Sequence, residues 1–184
     1  MKRRLWMVAL LLLGCASPHR TGSSPETPPH YPLLPPSSYG GTLVVEQLLD
    51  GWAKGEHFQL HSQMEIDAQR ILVFGFTAFQ TRAFALQYDG HAVTFENFTD
   101  RQMPFPPAMI ISDIQKILWP TLPNQDRWSV EDDILAGIRL VSFAGQVLTR
   151  IQYHGRSPLD GEVELVDLRY GYQLRIRTLN VWSG

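Results

Sequence analysis

Strict alternation of apolar and polar residues is the feature that most constrains the fold of this chain. Over residues 57–67, Phe58, Leu60, Met64 and Ile66 are separated by polar side chains. This period of two is the pattern of a half-buried β-strand. Eight further runs have strand-like composition, at 42–49, 70–79, 82–88, 92–98, 138–143, 146–153, 162–168 and 172–181.

Short connections between these runs predict how the strands pair. Asp89-Gly90 and Ala144-Gly145 are turn sequences typical of hairpins. Parallel strands would need crossovers of roughly a dozen residues or more, usually helical. The nine predicted strands should therefore form an antiparallel meander.

One segment has helical rather than strand periodicity. Pro106 and Pro107 suit a helix N-terminus, and Trp119-Pro120 ends the pattern. The apolar residues of the segment share one face: Ile110, Ile111, Ile114, Ile117 and Leu118. We expect this face to cover the concave side of the sheet. The predicted fold class is mainly β with one inserted helix (α+β): a curved antiparallel sheet forming a half-open barrel with a helical lid.

The N-terminus has the pattern of a bacterial lipoprotein signal. Basic residues at 2–4 precede an apolar run at 5–13, and Leu12-Leu13-Gly14-Cys15 resembles a lipobox. Nine apolar residues are too few for a membrane span, which needs about 20. We expect a signal peptide at 1–14, cleavage before Cys15, and acylation of Cys15 as the attachment to the membrane.

A proline-rich segment separates Cys15 from the predicted strands. Residues 15–38 hold seven of the thirteen prolines, which predicts a semi-rigid tether. Residues 39–184 then form a single domain. By resemblance to enterobacterial sorting, the absence of Asp at position 16 predicts an outer-membrane location, with the domain facing the periplasm.

Composition and motifs argue against several classes of function. A formal net charge of −2 gives no basic surface for nucleic acid, and one cysteine cannot form an internal disulfide. The sequence has none of the common nucleophile, phosphate-loop, dinucleotide or zinc-protease motifs. His57 and His61 lie about 13 Å apart on a strand, too far to share an ion. The run at 131–133 reads as a solvated acidic turn rather than a calcium site. We expect no enzyme activity, cofactor or metal.

The phenylalanines suggest where a ligand would bind, because most lie in the first five predicted strands. Close packing in an ordinary core explains much of this distribution, and an apolar ligand cavity is the alternative. On the second interpretation, the predicted cavity residues are Phe74, Phe76, Phe84, Phe95, Ile110, Ile114, Leu118 and Trp119.

Several short motifs complete the pattern: Tyr39-Gly40, Gln47, Tyr88-Asp89-Gly90, Ile117-Leu118-Trp119-Pro120, Trp128, Arg139 and Gly171-Tyr172. With the lipobox and the spacer, they resemble a family of outer-membrane lipoproteins, domain of unknown function 3261, often encoded beside aryl-polyene synthesis genes. The resemblance covers most of residues 31–180. That family is similar to the LolA and LolB lipoprotein carriers, which implies a half-open barrel, a helical lid and a hydrophobic cavity. The lipoprotein-inserting carrier has a protruding leucine after its third strand, whereas the matching turn here is Phe79-Gln80-Thr81-Arg82.

These observations favour a lipoprotein that binds or transfers a hydrophobic chain, such as an aryl-polyene lipid or an acyl group. Its expected partners are the membrane, the lipid ligand and a periplasmic carrier protein. The alternative is a non-enzymatic envelope assembly factor that binds a protein partner. A hydrolase without a linear motif is the third and weakest hypothesis.

Overall fold

A computed structural model describes residues 30–100 and 106–182. A short 3-10 helix, Pro36–Tyr39, precedes ten strands and one α-helix in these residues. The elements are β1 (Leu43–Ala53), β2 (Glu56–Ile66), β3 (Ile71–Phe76), β4 (Arg82–Tyr88), β5 (Val93–Asn97), α1 (Pro107–Leu118), β6 (Trp128–Asp133), β7 (Ile138–Phe143), β8 (Gln146–Tyr153), β9 (Glu162–Asp167) and β10 (Tyr172–Trp182). The signal peptide and Cys15 lie outside the described residues.

All ten strands belong to one antiparallel sheet in the order β5-β4-β3-β2-β1-β10-β9-β8-β7-β6. Two meanders, β1–β5 and β6–β10, meet where β1 pairs with β10. Among the described residues no pairing joins β5 to β6, so the sheet has two edges and is not closed. The prediction of a mainly β, antiparallel fold with one helix is confirmed.

The sequence predicted nine strands, and the missed one is β6. Its second half is the acidic run at 131–133, which we interpreted as a solvated turn. In the structure Asp132 lies opposite Arg139 on β7, and the Arg139 guanidinium pairs with the Asp132 carboxylate. The acidic side chains are exposed, but the backbone pairs as a strand. Composition indicated solvent exposure here, and solvent exposure is compatible with an edge strand.

Helix α1 has the predicted bounds and lies on the concave face of the sheet. The prediction buried its isoleucine face, and the structure buries the polar side as well. Ser112, Asp113, Gln115 and Lys116 are all buried. The helix therefore lies inside the protein, with polar partners on one side and apolar residues on the other.

The last part of the predicted tether packs against the folded body. Leu34 pairs with the Gln115 side chain through both its backbone N–H and its carbonyl, at 2.9 and 2.7 Å. The Tyr31 hydroxyl donates to the carbonyl of Pro123, and the Trp119 indole donates to Ser38 Oγ. Among the described residues, the buried apolar core begins with Tyr31 and ends with Ile176 along the chain. The prediction of a tether over 15–38 is therefore wrong for residues 31–38, and residues 15–29 lie outside the described part.

Candidate ligand-binding cavity

A cavity of about 810 Å³ lies between α1 and the first half of the sheet. This volume is within the range of roughly 300–1,000 Å³ typical of ligand sites. Strands β1–β4 and β10 supply most of its wall, and no residue of β6–β9 lines it. The second half of the sheet packs on the other side of the helix, with buried residues such as Val141, Ile151 and Leu165. The cavity therefore lies on the side of the helix that faces the first half of the sheet.

The cavity opens at one end of the sheet. The β1–β2 turn, the β3–β4 loop and the end of β5 all lie at this end, as the antiparallel order requires. Their residues in the cavity wall include Glu56, Asp100 and Phe79. Phe79 is 89% exposed. The turn that we compared with a protruding leucine therefore projects an aromatic ring at the cavity mouth.

The described chain begins at the same end. The His30 ring stacks on Tyr170 at 5.9 Å, in the β9–β10 turn. Because Trp52 pairs with Gln173, that turn lies beside the β1–β2 turn. Burial, followed by the nearby Arg169 guanidinium, lowers the pKa of His30.

Two aromatic rings of the cavity wall lie flat on glycines of neighbouring strands. Phe58 on β2 is opposite Gly51 on β1, and Phe84 on β4 is opposite Gly75 on β3. A Cβ at Gly51 would lie 2.2 Å from Cζ of Phe58, and a Cβ at Gly75 would lie 2.2 Å from Cε1 of Phe84. The glycines thus let both rings lie against the sheet instead of filling the space above it.

The helix supplies the opposite wall. Ile110, Ile114, Ile117 and Leu118 face the cavity along the length of α1. Successive residues of this kind fall on one face because they are three or four positions apart.

Four of the predicted site residues line the cavity together: Phe84, Ile110, Ile114 and Leu118. Phe95 lies behind Phe84, with ring centroids 5.9 Å apart. Trp119 is buried on the tether side, where it contacts Tyr39.

The structure places Phe74 and Phe76 on the opposite face of the sheet, contrary to the prediction. Along β3, Ile71, Val73 and Gly75 are the buried positions, so the phenylalanines between them point outward. There the Arg82 guanidinium lies over Phe74, and the Phe76 ring approaches His61. Because residues 71–74 are all apolar, the sequence of this strand did not indicate which side chains point inward.

Other cavity residues were not predicted, although the alternation of β1 and β2 could have identified several. These are chiefly Gln47, Leu49, Phe58, Leu60, Ser62, Met64, Leu174 and Ile176. The sequence analysis used phenylalanines to predict the cavity wall. It missed these residues because most of the wall is aliphatic.

A buried charged cluster supports α1 where it faces β8 and β10. Lys116 Nζ donates to Asp113 Oδ1 at 2.7 Å and approaches Thr149 Oγ1 at 3.4 Å. The Tyr172 hydroxyl donates to the other oxygen of Asp113. Burial and then the Asp113 carboxylate raise the pKa of Tyr172, so the phenol stays protonated and can donate. Both Asp113 oxygens are engaged although the residue lines the cavity.

Arg139 and Tyr153 hold the C-terminal end of the helix. Arg139 donates to the carbonyls of Lys116, Trp119 and Pro120, at 2.7, 2.8 and 3.3 Å. The Tyr153 hydroxyl donates to the carbonyl of Ile117, and burial raises the pKa of Tyr153 to about 12. The last carbonyls of a helix have no partner within it, so these side chains complete its hydrogen bonding.

Within residues 30–100 and 106–182, no three His, Cys, Asp or Glu side chains are grouped so as to hold a metal. Over the same ranges, no helix combines the length and apolarity needed to cross a membrane.

The fold and the site define a class of protein: an open antiparallel sheet that encloses an internal helix and an apolar cavity of ligand size. Residues 44–180, well over half of the chain, match the family described as Protein of unknown function (DUF3261). The chain belongs to this family, in agreement with the resemblance found in its motifs.

Among solved structures, the chain is similar to the crystal structure of a domain from Vibrio parahaemolyticus assigned to outer membrane lipoprotein sorting. The identity is 9%, the match covers 78% of this chain and 85% of that one, and the TM-score is 0.44. These values are too low for function to be carried over. A comparison with curated proteins gave no match.

Proposed function

We propose that this protein binds a hydrophobic, lipid-like chain in the cavity and transfers it at the outer membrane, where acylated Cys15 anchors the protein. The observation that carries the proposal is the open apolar cavity of about 810 Å³ between α1 and β1–β4. A protein that needed only a stable core would fill this space, because interiors are normally close-packed.

The wall favours a chain over a polar ligand. Isoleucines from α1 face Leu49, Leu60 and Phe84 across the space. Moving a chain from water into such a wall gains about 0.8 kcal/mol per methylene. Moving it between the cavity and a membrane costs little, because both are apolar. Transfer therefore needs no covalent step, and the proposal assigns no catalytic residue.

The ligand and its route follow from the family resemblance. An aryl-polyene lipid or a lipoprotein acyl group fits the expected class, as does delivery by a periplasmic carrier protein. The half-open sheet with an internal helix is the arrangement that likeness to LolA and LolB implies. The exposed Phe79 at the mouth would contact the membrane or carrier that exchanges the chain.

A second candidate, an envelope assembly factor that binds a protein partner, is supported by a different surface. Ile134 and Leu135, in the β6–β7 turn, are 90% and 101% exposed, at the end of the sheet away from the cavity mouth. On this hypothesis, Leu135→Asp abolishes function in cells, whereas filling the cavity has no effect.

The test of the first proposal is binding of the neutral fluorescent probe N-phenyl-1-naphthylamine to purified residues 16–184. We expect saturable binding with one site, and Ile114→Trp should weaken it about tenfold or more because the indole occupies the space. Ile134→Trp is the matched control and should bind as the wild type does. A wild-type protein that binds no apolar probe would overturn the proposal.

A further inference from the structure

Two polar side chains lie close to the inner end of the cavity. Gln47 on β1 and Ser62 on β2 are directly paired across the sheet, and both line the cavity. They are 8% and 6% exposed. Farther along the same strands Met64 still lines the cavity, whereas Val45 and Ile66 are buried and do not. The two polar side chains therefore lie near the deepest part of an otherwise apolar wall.

These side chains retain unused hydrogen-bonding capacity. Gln47 Nε2 donates weakly to Thr178 Oγ1, at 3.4 Å. Among the described residues, neither Gln47 Oε1 nor Ser62 Oγ has a protein partner. Neither atom is sealed from the cavity, because neither is among the fully buried atoms without a partner. A buried polar group left unpaired is costly. A ligand that forms hydrogen bonds with Gln47 and Ser62 is therefore favoured over one that does not.

The charges around the cavity restrict what that ligand can carry. No Lys or Arg of the described residues lines it. Glu56 and Asp100 lie at the mouth, Asp113 lies inside, and His57, which also lines the cavity, has its ring paired with the Asp50 carboxylate. Lys116, a buried cation on α1, is engaged by Asp113. A carboxylate or phosphate would enter past acidic groups and find no counter-ion, at a high cost of desolvation. The buried end of the ligand is therefore neutral.

We propose that Gln47 and Ser62 bind a neutral hydroxyl at the buried end of the ligand, so that the ligand class is a hydroxyl-terminated apolar chain. A hydroxyl donates one hydrogen bond and accepts others. It can donate to Gln47 Oε1 and accept from Ser62 Oγ–H at the same time. A methyl end satisfies neither atom, and a carboxylate cannot donate to Gln47. This inference rests on the proposed function, because it assumes that a chain occupies the cavity.

The test compares three chains of equal length as competitors of N-phenyl-1-naphthylamine on residues 16–184: dodecanol, its methyl ether and dodecanoate. For each protein, the alcohol preference is the inhibition constant of the ether divided by that of the alcohol. The quantity compared is the wild-type preference divided by the preference of a variant. This quotient removes differences in solubility between the probes. We expect Gln47→Leu and Ser62→Ala each to lower the alcohol preference by about fivefold, the value of one ordinary hydrogen bond. Dodecanoate should compete less well than dodecanol.

Gln63→Leu is the matched control, since Gln63 is adjacent to Ser62 but exposed on the other face of β2. Its alcohol preference should equal that of the wild type. Ser62→Ala removes a single oxygen and guards against misfolding of the larger Gln47→Leu change. If the probe binds but the alcohol preference is the same in all four proteins, Gln47 and Ser62 do not select the ligand and this inference is wrong. If the wild type does not bind the probe at all, the proposed function fails and the inference fails with it.

Discussion

At the scale of single residues, the cavity depends on two glycines. Gly51 and Gly75 lack the Cβ that would lift the rings of Phe58 and Phe84 off the sheet. Neither glycine has a positive φ, so an alanine there is compatible with the backbone. The conflict is with ring atoms only, at the tip of Phe58 and along one side of Phe84, and each ring can move by rotating toward the cavity.

We therefore predict that Gly75→Ala weakens ligand binding with little loss of stability. The displaced Phe84 ring would occupy space that the ligand needs. The affinity for N-phenyl-1-naphthylamine should fall about tenfold, while the melting temperature changes by only a few degrees. Fluorescence titration and thermal unfolding measure the two effects.

The control is Gly41→Ala, because nothing lies within 4 Å of a Cβ at Gly41. A second change, Phe84→Leu, made together with Gly75→Ala, should restore part of the affinity by removing the displaced ring. Equal affinities in Gly75→Ala and the wild type would show that the ring does not control the cavity volume.

Strands β2 and β3 differ in how clearly their sequences predict which side chains face the cavity. In β2 the alternation is clean, so the inward positions, including Ser62, could be read from it directly. In β3 the residues at 71–74 are all apolar, and composition gives no direction. Only the pairing of Gly75 with Phe84 identifies the inward positions, and pairing depends on contacts between strands.

At the scale of elements, α1 is held by polar residues from the second half of the sheet. Arg139 reaches from β7 to three carbonyls at the end of the helix and is fixed from behind by Asp132. The sequence predicted the bounds of α1 from proline and apolar spacing. It did not predict this support, because Arg139 lies 19 to 23 residues beyond the carbonyls it contacts, and Asp132, which fixes it, is on β6, the strand that was not recognised.

We predict that Arg139→Met lowers the free energy of unfolding by about 3 kcal/mol, since charged hydrogen bonds to buried carbonyls are lost. Urea denaturation measures the change. Arg139→Lys should restore little, because an ammonium group cannot reproduce the planar set of donors.

Arg150→Met is the appropriate comparison, since Arg150 is an exposed arginine on the neighbouring strand β8. It should cost less than about 0.5 kcal/mol. If the two methionine variants unfold at the same urea concentration, Arg139 does not stabilise the helix.

At the scale of the whole molecule, the predicted anchor can be tested separately from the cavity. Cys15→Ser removes the only thiol in the chain, and with it the predicted site of acylation. We expect this variant to incorporate no labelled palmitate and to leave the outer-membrane fraction, while its cavity still binds the probe. A variant that remains acylated and membrane-bound would show that the lipobox interpretation is wrong.

The position of His30 beside the cavity mouth limits how far the protein can act. With Cys15 in the membrane, residues 15–29 span at most about 50 Å when fully extended. The cavity mouth then stays within this distance of the bilayer, and the protein cannot carry a ligand across the periplasm. The short tether also keeps the cavity mouth at a high effective concentration near the membrane. Lengthening the tether should therefore slow the exchange of ligand with the membrane, although the affinity of the cavity stays the same.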